Sequence, residues 1–226
     1  MKDLGKIVLH IPAREGSKRV PKKNMKLIND EPMISYVIKS SINSNVTEHI
    51  YVNTDSDVIE QYVNCNFIIK VYKRKKILAS DNATSDQFNY DIINALNPDT
   101  LMMINPVCPL IESIDIINAV RRYQNSNCDT LISSSATKMQ GFCGEEGVNI
   151  NVNEELMPSQ MNETINILNW AITIWDAKLF KKRMTNLGFA SLGKNRIFYE
   201  LDCIKSIKVS EIGDFKLAEK ILKLSE

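Results

Sequence analysis

Along the first 135 residues, short apolar segments alternate with longer segments whose apolar residues recur every three or four positions. The short segments are rich in β-branched residues, which is typical of buried strands, whereas the wider spacing is typical of amphipathic helices. We predict strands at 6–11, 49–54, 67–72, 100–105 and 129–136, and helices at 32–44, 56–63, 84–96 and 112–124. This alternation predicts right-handed βαβ units in a mainly parallel sheet, and therefore an α/β fold.

Two of the predicted helices begin at residues that favour an N-cap. Ser56 stands at the start of the second helix. At the third helix, Thr84 and Ser85 both carry a hydroxyl that can accept a backbone N–H, so the sequence leaves the N-cap open between them.

The alternation stops after residue 135, and the following segment holds three of the eight glycines, many asparagines and two strand-like apolar segments. We predict that residues 138–170 form an arm inserted within a single domain that spans residues 1–226, since no repeat or linker divides the chain. Residues 197–201 and 206–209 are predicted to rejoin the sheet. Residues 211–226 predict a closing amphipathic helix with apolar residues Phe215, Leu217, Ala218, Ile221 and Leu222.

Composition and charge exclude several classes of protein. The net charge is +1, so bulk attraction to nucleic acid or to a membrane surface is absent and any cationic site must be local. No apolar segment approaches the length of a membrane span. The five cysteines include no Cys-x-x-Cys pair, and two histidines are too few to favour a zinc site. We therefore expect a soluble cytoplasmic protein with reduced thiols.

One local cationic site is present in the loop that follows the first predicted strand. Ligands of open α/β sheets bind beyond the carboxyl ends of the strands, where this loop lies. Gly16 allows the backbone to approach a ligand closely, and Ser17 adds a hydroxyl donor. The spacing is not that of a Walker loop. From the residues alone, a triphosphate site and a solvated basic loop both remain open for the five cations Arg14, Lys18, Arg19, Lys22 and Lys23.

The sequence of this loop, IPAREGSKRVPKKN at 11–24, resembles the signature I-P-A-R-x-G-S-K-x-x-P-x-K-N of the CMP-acylneuraminate synthetases at every specified position. Four further segments resemble that family in the same order, at 51–59, 74–85, 104–110 and 200–219. The resemblance covers nearly the whole chain and is weakest at 138–168. It implies a three-layer α/β/α, nucleotide-diphospho-sugar transferase-like (Rossmann-like) fold, with a mainly parallel sheet and a small dimerisation arm.

The resemblance also implies an activity, in which CMP is transferred from CTP to an acidic, sialic acid-like nonulosonate sugar and pyrophosphate is released, for surface glycan biosynthesis. It implies Mg²⁺ as cofactor and a homodimer, with no nucleic acid or membrane partner. Arg14, Ser17 and Lys18 would contact the triphosphate, and Asn24 would hold the nucleotide. Lys23, together with Arg14, would stabilise charge on the phosphates during transfer.

The segment that selects cytosine in the family maps onto Arg74, Ala83 and Ser85, and the Gln of the next motif maps onto Asn105. Each has an alternative interpretation: Arg74 lies in a basic run, and Ser85 competes for the N-cap described above. Cys108 stands where the family often has Ser, and we expect it to be a buried core thiol.

The chain departs from the family pattern in three places, the first of which is the motif that begins at 104, where Asn105 replaces Gln and Ile111 replaces Arg. Lys208 and Ser210 occupy the positions of two Asp residues that hold the metal in the family, so the metal ligands are unknown, whereas Asp214 matches a third Asp that starts a helix. In the acceptor half, Ile167 lies where a basic residue is frequent, and Trp170 replaces a Gly; we expect Trp170 to serve packing. These departures leave two alternatives open: a CTP- or CMP-binding protein of the same fold without catalysis, and a cytidylyltransferase for a different, non-sialic acceptor.

Overall fold

The computed structural model describes residues 1–224 as an α/β fold. Its strands are β1 (Ile7–Pro12), β2 (Leu27–Ile28), β3 (Glu31–Pro32), β4 (Ile50–Thr54), β5 (Lys70–Lys73), β6 (Thr100–Ile104), β7 (Thr130–Thr137), β8 (Gly141–Cys143), β9 (Glu146–Val148), β10 (Ile165–Asp176) and β11 (Arg196–Glu200). Its α-helices are α1 (Met33–Ser44), α2 (Asp57–Asn66), α3 (Ser85–Leu96), α4 (Ser113–Gln124), α5 (Ala177–Leu187) and α6 (Ile212–Leu224). Short 3₁₀ turns lie at Lys23–Met25, Lys76–Ala79 and Ser159–Met161.

Seven strands form the main sheet in the order β11-β7-β10-β6-β1-β4-β5. β10 runs antiparallel to both of its neighbours, β6 and β7, and the other adjacent pairs are parallel. Residues of α1, α2 and α4 pack in the larger core cluster, and residues of α3 and α5 pack in a second cluster against other side chains of the same sheet. The predicted three-layer, mainly parallel α/β architecture is therefore confirmed.

Four of the five strands predicted in the first half agree with the structure within one residue at each end. The third strand begins later than predicted, at Lys70, because α2 continues to Asn66 and Phe67 closes that helix with a backbone N–H to the carbonyl of Val63 (2.9 Å). Helix α5 was not predicted from the sequence.

Residues with a hydroxyl side chain form the N-caps of α2 and α3. Ser56 accepts the backbone N–H of Ile59 at 3.5 Å, as predicted for α2. At α3 the cap is Thr84, which accepts the N–H of Gln87 at 3.3 Å while the Gln87 side chain accepts the N–H of Thr84 at 3.0 Å. Such a reciprocal capping box fixes the start of the helix, so Ser85 is its first residue and not its cap.

The predictions for the second half of the chain hold in part. Residues 206–209 do not join the sheet: Val209 is buried, and its backbone N–H donates to the carbonyl of Val107 at 2.8 Å. The closing helix is confirmed as α6, with Phe215 and Ala218 buried, whereas Leu217 is 49 % exposed. The apolar run 171–175 is buried in β10, inside the sheet. The last two residues of the predicted helix, 225–226, lie outside the described residues.

The predicted arm extends from the neighbouring strands β7 and β10. The first part of β10, Ile165–Leu168, pairs with the end of β7, and a register shift then separates it from the part inside the main sheet. Between β7 and β10, β8 and β9 form a small antiparallel hairpin. Within residues 1–224, no helix has the length and apolar character needed to cross a membrane.

Candidate active site

Two adjoining cavities open at the carboxyl end of β1. The first, which we call the cationic cleft, has a volume of about 320 Å³ and is lined by Pro12, Arg14, Gly16, Ser17, Lys18, Arg19, Lys23, Asn24, Pro106 and Val107. The second, which we call the inner pocket, has a volume of about 360 Å³ and is lined by Pro12, Arg14, Arg74, Ser85, Phe88, Met103, Asn105, Trp170, Trp175, Ser191 and Lys208. Pro12 and Arg14 line both cavities, so a single elongated ligand can occupy the two together.

The cationic cleft concentrates positive charge from one loop. The loop follows β1 because Pro12 ends that strand, and the backbone N–H of Ala13 still donates to the carbonyl of Asn53 in β4 at 2.9 Å. A Cβ placed on Gly16 would meet no protein atom within 4 Å, so the glycine leaves open space beside the backbone. Anions bind readily where exposed backbone N–H groups and cationic side chains converge.

Arg14 and Lys18 share an acidic partner from the segment that follows β5. Nη1 of Arg14 donates to Oδ1 of Asp81 at 3.2 Å, and Nζ of Lys18 lies 2.6 Å from Oδ2 of the same carboxylate. The hydrogen bond from Lys18 is the main reason that the pKa of Asp81 lies below its usual value. Nη1 of Arg14 also reaches the carbonyls of Ala79 and Ser80 at 3.4 and 3.3 Å. These contacts tie the cationic loop to the segment 74–85.

Lys23 and Asn24 form the inner wall of the cleft. Nζ of Lys23 donates to the carbonyl of Val209 at 2.8 Å. Loss of water around this half-buried ammonium lowers its pKa, and the positive charges of Arg19 and Lys208 lower it further. Asn24 is buried, and its Oδ1 accepts no hydrogen bond from residues 1–224. Buried polar atoms without a protein partner generally bind water or a ligand. Oδ1 of Asn24 is therefore an acceptor that a ligand in the cleft can use.

Arg74 is buried at the side of the inner pocket and is held from two directions. Its Nε donates to Oδ1 of Asn53 at 2.7 Å, and its Nη2 donates to the carbonyl of the same residue at 2.8 Å. Its guanidinium also stacks 4.6 Å from the ring centre of Phe88. Burial lowers the pKa of Arg74 to about 10, so it remains charged at neutral pH. Within residues 1–224, Nη1 has no described acceptor and can serve a ligand.

His10, a residue that sequence reasoning did not select, lies behind Arg74. It is fully buried in β1, with its Nδ1 3.5 Å from the side-chain amide of Asn53. Burial and the charge of Arg74 lower the pKa of His10 to about 3, and the nearby Asn89 opposes this only in part. His10 is therefore neutral and adds no charge that repels Arg74. A polar residue near the end of each of two adjacent apolar strands was the signal that could have revealed His10 and Asn53.

The other residues predicted to bind nucleotide differ in whether they line one of the two cavities. Ser85 lines the inner pocket, and its hydroxyl is 3.3 Å from that of Ser191. Asn105 lines the pocket too, with its Oδ1 accepting the N–H of Val107 at 3.3 Å. Ala83 lines neither cavity; its backbone N–H donates to the carbonyl of Ser80 at 3.2 Å. The remaining five, Arg14, Ser17, Lys18, Lys23 and Asn24, meet in the cationic cleft.

The family's metal positions do not provide carboxylates in this chain. Lys208 lines the inner pocket with an ammonium, and Ser210 uses its backbone N–H to bind Oδ2 of Asp214 at 2.8 Å. Asp214 also accepts the N–H of Glu211 at 2.8 Å, so it caps the start of α6, as expected. Residues 1–224 contain no cluster of three His, Cys, Asp or Glu side chains that could hold a metal ion. These residues do not fit a magnesium site built on protein carboxylates.

Cys108 is buried near the cleft, as predicted. Burial raises the pKa of its thiol to about 12, although Lys208 and Lys23 favour the thiolate. The side chain is therefore a neutral thiol at physiological pH, and it is not activated as a nucleophile.

The match to a family model gives the class of protein, a nucleotidyltransferase. The chain belongs to the cytidylyltransferase family, whose model matches residues 8–221. Together with N-acylneuraminate cytidylyltransferases that are 25–32 % identical in sequence, this match confirms the resemblance to CMP-acylneuraminate synthetases. The N-acylneuraminate cytidylyltransferase of Escherichia coli is 32 % identical over 123 residues, which are 53 % of this chain and 28 % of that protein. The match thus spans less than a third of that relative.

Two further proteins resemble nearly the whole chain. Post-translational flagellin modification protein B of Campylobacter coli is 26 % identical over 230 aligned positions, which cover 97 % of this chain and 96 % of that protein. The structure of CMP:2-keto-3-deoxy-manno-octonic acid synthetase complexed with CTP superimposes with a TM-score of 0.69 at 14 % identity, covering 98 % of this chain and 100 % of the other. At that identity the superposition establishes the fold alone.

The buried neutral state of His10 predicts a pH dependence of stability. The unfolded chain takes up a proton at His10 near the ordinary pKa of 6.5, whereas the folded chain does so only near 3. The free energy of unfolding therefore decreases as pH falls from about 6.5 towards 3. His10 contributes up to about 1.4 kcal/mol per pH unit to this decrease. Urea unfolding between pH 7 and pH 4 should show a steeper decline for the parent than for His10→Gln.

The other histidine provides the control for this measurement. His49 is half-buried near the start of β4, and His49→Gln should leave the decline as steep as in the parent. Equal slopes for the parent and His10→Gln would contradict a neutral His10.

Proposed function

We propose that this protein transfers CMP from CTP to an acidic sugar of the nonulosonate class, with release of pyrophosphate, as a step in surface glycan biosynthesis. The observation that carries the proposal is the junction of the two cavities at Arg14: one cavity is cationic and the other is lined by the buried Arg74. Membership of the cytidylyltransferase family supports CTP as the nucleotide. The name of the Escherichia coli relative, an N-acylneuraminate cytidylyltransferase, supports a sugar acid as the acceptor.

The chemistry requires charge stabilisation and positioning. The acceptor hydroxyl oxygen bonds to the α-phosphorus of CTP, the bond from that phosphorus to the bridging oxygen of the β-phosphate breaks, and the hydroxyl proton passes to solvent. Phosphoryl transfers of this kind depend mainly on positioning and on stabilising the charge that develops on the phosphate oxygens. In the proposal, Lys23 and Arg14 supply that charge, Ser17 and Lys18 bind the triphosphate, and Asn24 holds the nucleotide.

The inner pocket accounts for recognition of the base. Nε and Nη2 of Arg74 are held by Asn53, whereas Nη1 has no described acceptor within residues 1–224, so in the proposal Nη1 is the donor for the acceptor atoms of cytosine. Ser85, which also lines the inner pocket, completes this side. Asn105 follows β6, which lies on one side of β1 in the sheet, whereas Arg74 follows β5 on the other side.

We propose that magnesium reaches this site bound to the CTP phosphates, without carboxylate ligands from the protein. The positions at which the family resemblance implies two Asp are Lys208 and Ser210, and neither cavity is lined by a carboxylate. Magnesium binds triphosphates directly and retains several waters, so the nucleotide itself can carry the ion. Lys208 then adds a fixed positive charge next to Lys23, whose pKa it lowers.

Turnover distinguishes this proposal from the first alternative, a CTP- or CMP-binding protein of the same fold without catalysis. A pyrophosphate-release assay with CTP, magnesium and a panel of sugar acids should show turnover with at least one member of the panel. The panel includes N-acetylneuraminic acid, a di-N-acetylated nonulosonic acid and 2-keto-3-deoxy-manno-octonic acid. Tight binding of CTP with no product from any acceptor would favour the alternative, and turnover only with an acceptor outside the nonulosonates would favour the second alternative.

Lys23→Ala should reduce kcat by roughly a hundredfold, because it removes a charge that faces the reacting phosphates. The adjacent Lys22 is exposed and lines neither cavity, so Lys22→Ala should remain within about threefold of the parent by the same assay. Both variants should unfold at a urea midpoint near that of the parent. A Lys23→Ala enzyme with parental turnover would show that the loop is not the phosphate site.

Lys208→Asp tests the charge role of Lys208. We expect a loss of kcat/KM of about tenfold or more, which added magnesium does not restore, because a carboxylate would repel the triphosphate. Lys216→Asp makes the same charge change at an exposed position of α6 and should have little effect. Should Lys208→Asp instead increase the stimulation by magnesium, the position is a metal site that has diverged, and the proposed charge role is wrong.

We also propose that the protein is a homodimer that associates through the arm. Large apolar side chains are exposed there on a surface with few neighbours, which favours contact with a second protein surface. They are Met139, Phe142, Val152, Leu156, Met157, Met161 and Ile167, exposed by 54–68 %. A cytoplasmic location is part of the proposal, since all five cysteines are unpaired and CTP is an intracellular nucleotide.

Sedimentation velocity at micromolar chain concentration should report a dimer, and the double variant Phe142→Glu, Met161→Glu should sediment as a monomer because buried carboxylates oppose association. Ile68→Glu introduces the same charge at a fully exposed apolar residue outside the arm and should remain dimeric. A parent that sediments as a monomer, or a double variant that stays dimeric, would contradict the arm interface.

A further inference from the structure

Trp170 has a backbone conformation that tryptophan rarely adopts. Its φ is +59°, in the left-handed region that favours glycine. The other non-glycine residues with positive φ among residues 1–224 are Asn, Asp or Lys residues, of which Asn and Asp tolerate this region best. A bulky aromatic residue here is strained, and strain of this kind persists where the surrounding structure holds it and is frequent at ligand sites.

The surrounding structure does hold this conformation. Trp170 lies in the irregular part of β10, between Leu168 and Thr173, where the register with β7 shifts. Buried Asn169 next to it accepts hydrogen bonds at its Oδ1 from the hydroxyl of Ser133 (2.5 Å) and from the N–H of Ala171 (3.1 Å).

The rest of the bulge is fixed in the same way. The amide of Asn169 donates to the hydroxyl of Ser206 at 3.1 Å, and the N–H of Ile172 donates to Ser133 at 2.9 Å. The carbonyl of Ala171 accepts the N–H of Asn105 at 2.9 Å. Each bond fixes a group beside Trp170, so the bulge is set by buried polar contacts and not by packing of the indole itself.

The indole of Trp170 lies in the inner pocket and is only half-buried. No group within residues 1–224 is described as accepting its N–H. Trp175, the only other tryptophan of the chain, contrasts with it: Trp175 is 1 % exposed and donates to the carbonyl of Ser191 at 2.9 Å. Trp175 is therefore a core residue, and the expectation that Trp170 serves packing is not supported by its position.

The strand order places Trp170 away from the side of the pocket that faces the base. Arg74 follows β5, at one edge of the sheet, whereas Trp170 is in β10. β1, which leads into the cationic cleft, lies between them in the strand order. A nucleotide with its base near Arg74 and its phosphates in the cleft leaves the β10 side of the pocket for the acceptor.

We propose that Trp170 determines acceptor specificity by stacking its indole on the apolar C–H face of the acceptor's sugar ring. This inference rests on the proposed function, which supplies the acceptor class. An aromatic face provides a large, rigid contact area for such a ring, and the free indole N–H can donate to a substituent of the sugar. Aliphatic side chains at this position would present neither the flat surface nor the donor.

Two substitutions separate stacking from strain. Trp170→Gly removes the aromatic face and relieves the positive φ, so we expect a higher urea midpoint together with an increase in acceptor KM of roughly tenfold. CTP affinity, measured by calorimetry without acceptor, should stay within about twofold of the parent value, since the base is held elsewhere. Trp170→Phe keeps an aromatic face and should remain within about threefold of the parent in KM.

Two results would overturn the proposal. An unchanged acceptor KM in Trp170→Gly would show that the indole has no role in acceptor binding. A tenfold loss of CTP affinity with an unchanged acceptor KM would assign the indole to the base instead.

A binding measurement keeps this test independent of turnover. In a Trp175→Phe variant, Trp170 is the only tryptophan, and its emission should change saturably when N-acetylneuraminic acid or another acid of the panel is added to the CTP-bound protein, but not with glucose. If no acid of the panel releases pyrophosphate yet this emission responds, the proposed function fails while acceptor stacking stands. If pyrophosphate is released but neither the emission nor the Trp170→Gly acceptor KM changes, the inference on Trp170 fails while the function stands.

Discussion

Repulsion among cations gathered in one cleft is the constraint on which the rest of the site depends. Burial is the main reason that the pKa of Lys23 is lowered, and Arg19, Lys208 and Arg14 each lower it further, so each of them raises the cost of its charge. A folded protein keeps such a cluster where a polyanion offsets the repulsion. Two carboxylates contact the loop: Asp55 accepts the backbone N–H of Glu15 at 3.1 Å, and the exposed Asp81 pairs with Arg14 and Lys18. Within residues 1–224, Lys23 has no acidic partner, and its ammonium donates to the carbonyl of Val209.

The same constraint explains why Lys208 is compatible with nucleotide chemistry. A protein-held magnesium needs carboxylates, and carboxylates near Lys23 would neutralise the cleft before a nucleotide arrived. Positive side chains and a magnesium ion carried by the nucleotide both stabilise phosphate charge, so one can replace part of the other's contribution. Arg74 is different, because burial lowers its pKa while the negative charges of Asp55 and Asp91 favour its charged form. Asn53 holds two of its nitrogens by hydrogen bonds, and neutral His10 adds no repulsion.

The periodicity of the first half of the chain was sufficient to predict the alternating strands and helices, because each buried strand carries its own apolar signal. The loop at 11–24 was likewise predictable, since its residues are contiguous and their chemistry is local. The antiparallel direction of β10 was not predictable in this way, because direction depends on pairing with β6 and β7 and not on the local sequence. The burial of the run 171–175 follows from that same pairing.

Sequence reasoning also missed contacts that form only through the fold. Asn53 and His10 are far apart in the chain and meet because β1 and β4 pair in parallel. Trp170 was assigned to packing because an aromatic residue in a strand usually packs, and its positive φ depends on a bulge held by Asn169 and Ser133. Long-range hydrogen bonds of this kind leave no periodic pattern.

The central claim is that the cationic cleft holds the triphosphate of CTP, and a crystal structure of the CTP complex with magnesium tests it most directly. The account predicts phosphate oxygens within hydrogen-bonding distance of Lys23, Arg14 and Ser17, with the cytosine edge at Arg74 and the magnesium ion bound by phosphates and water. A triphosphate placed outside the cleft, or a magnesium ion held by protein carboxylates, would contradict it.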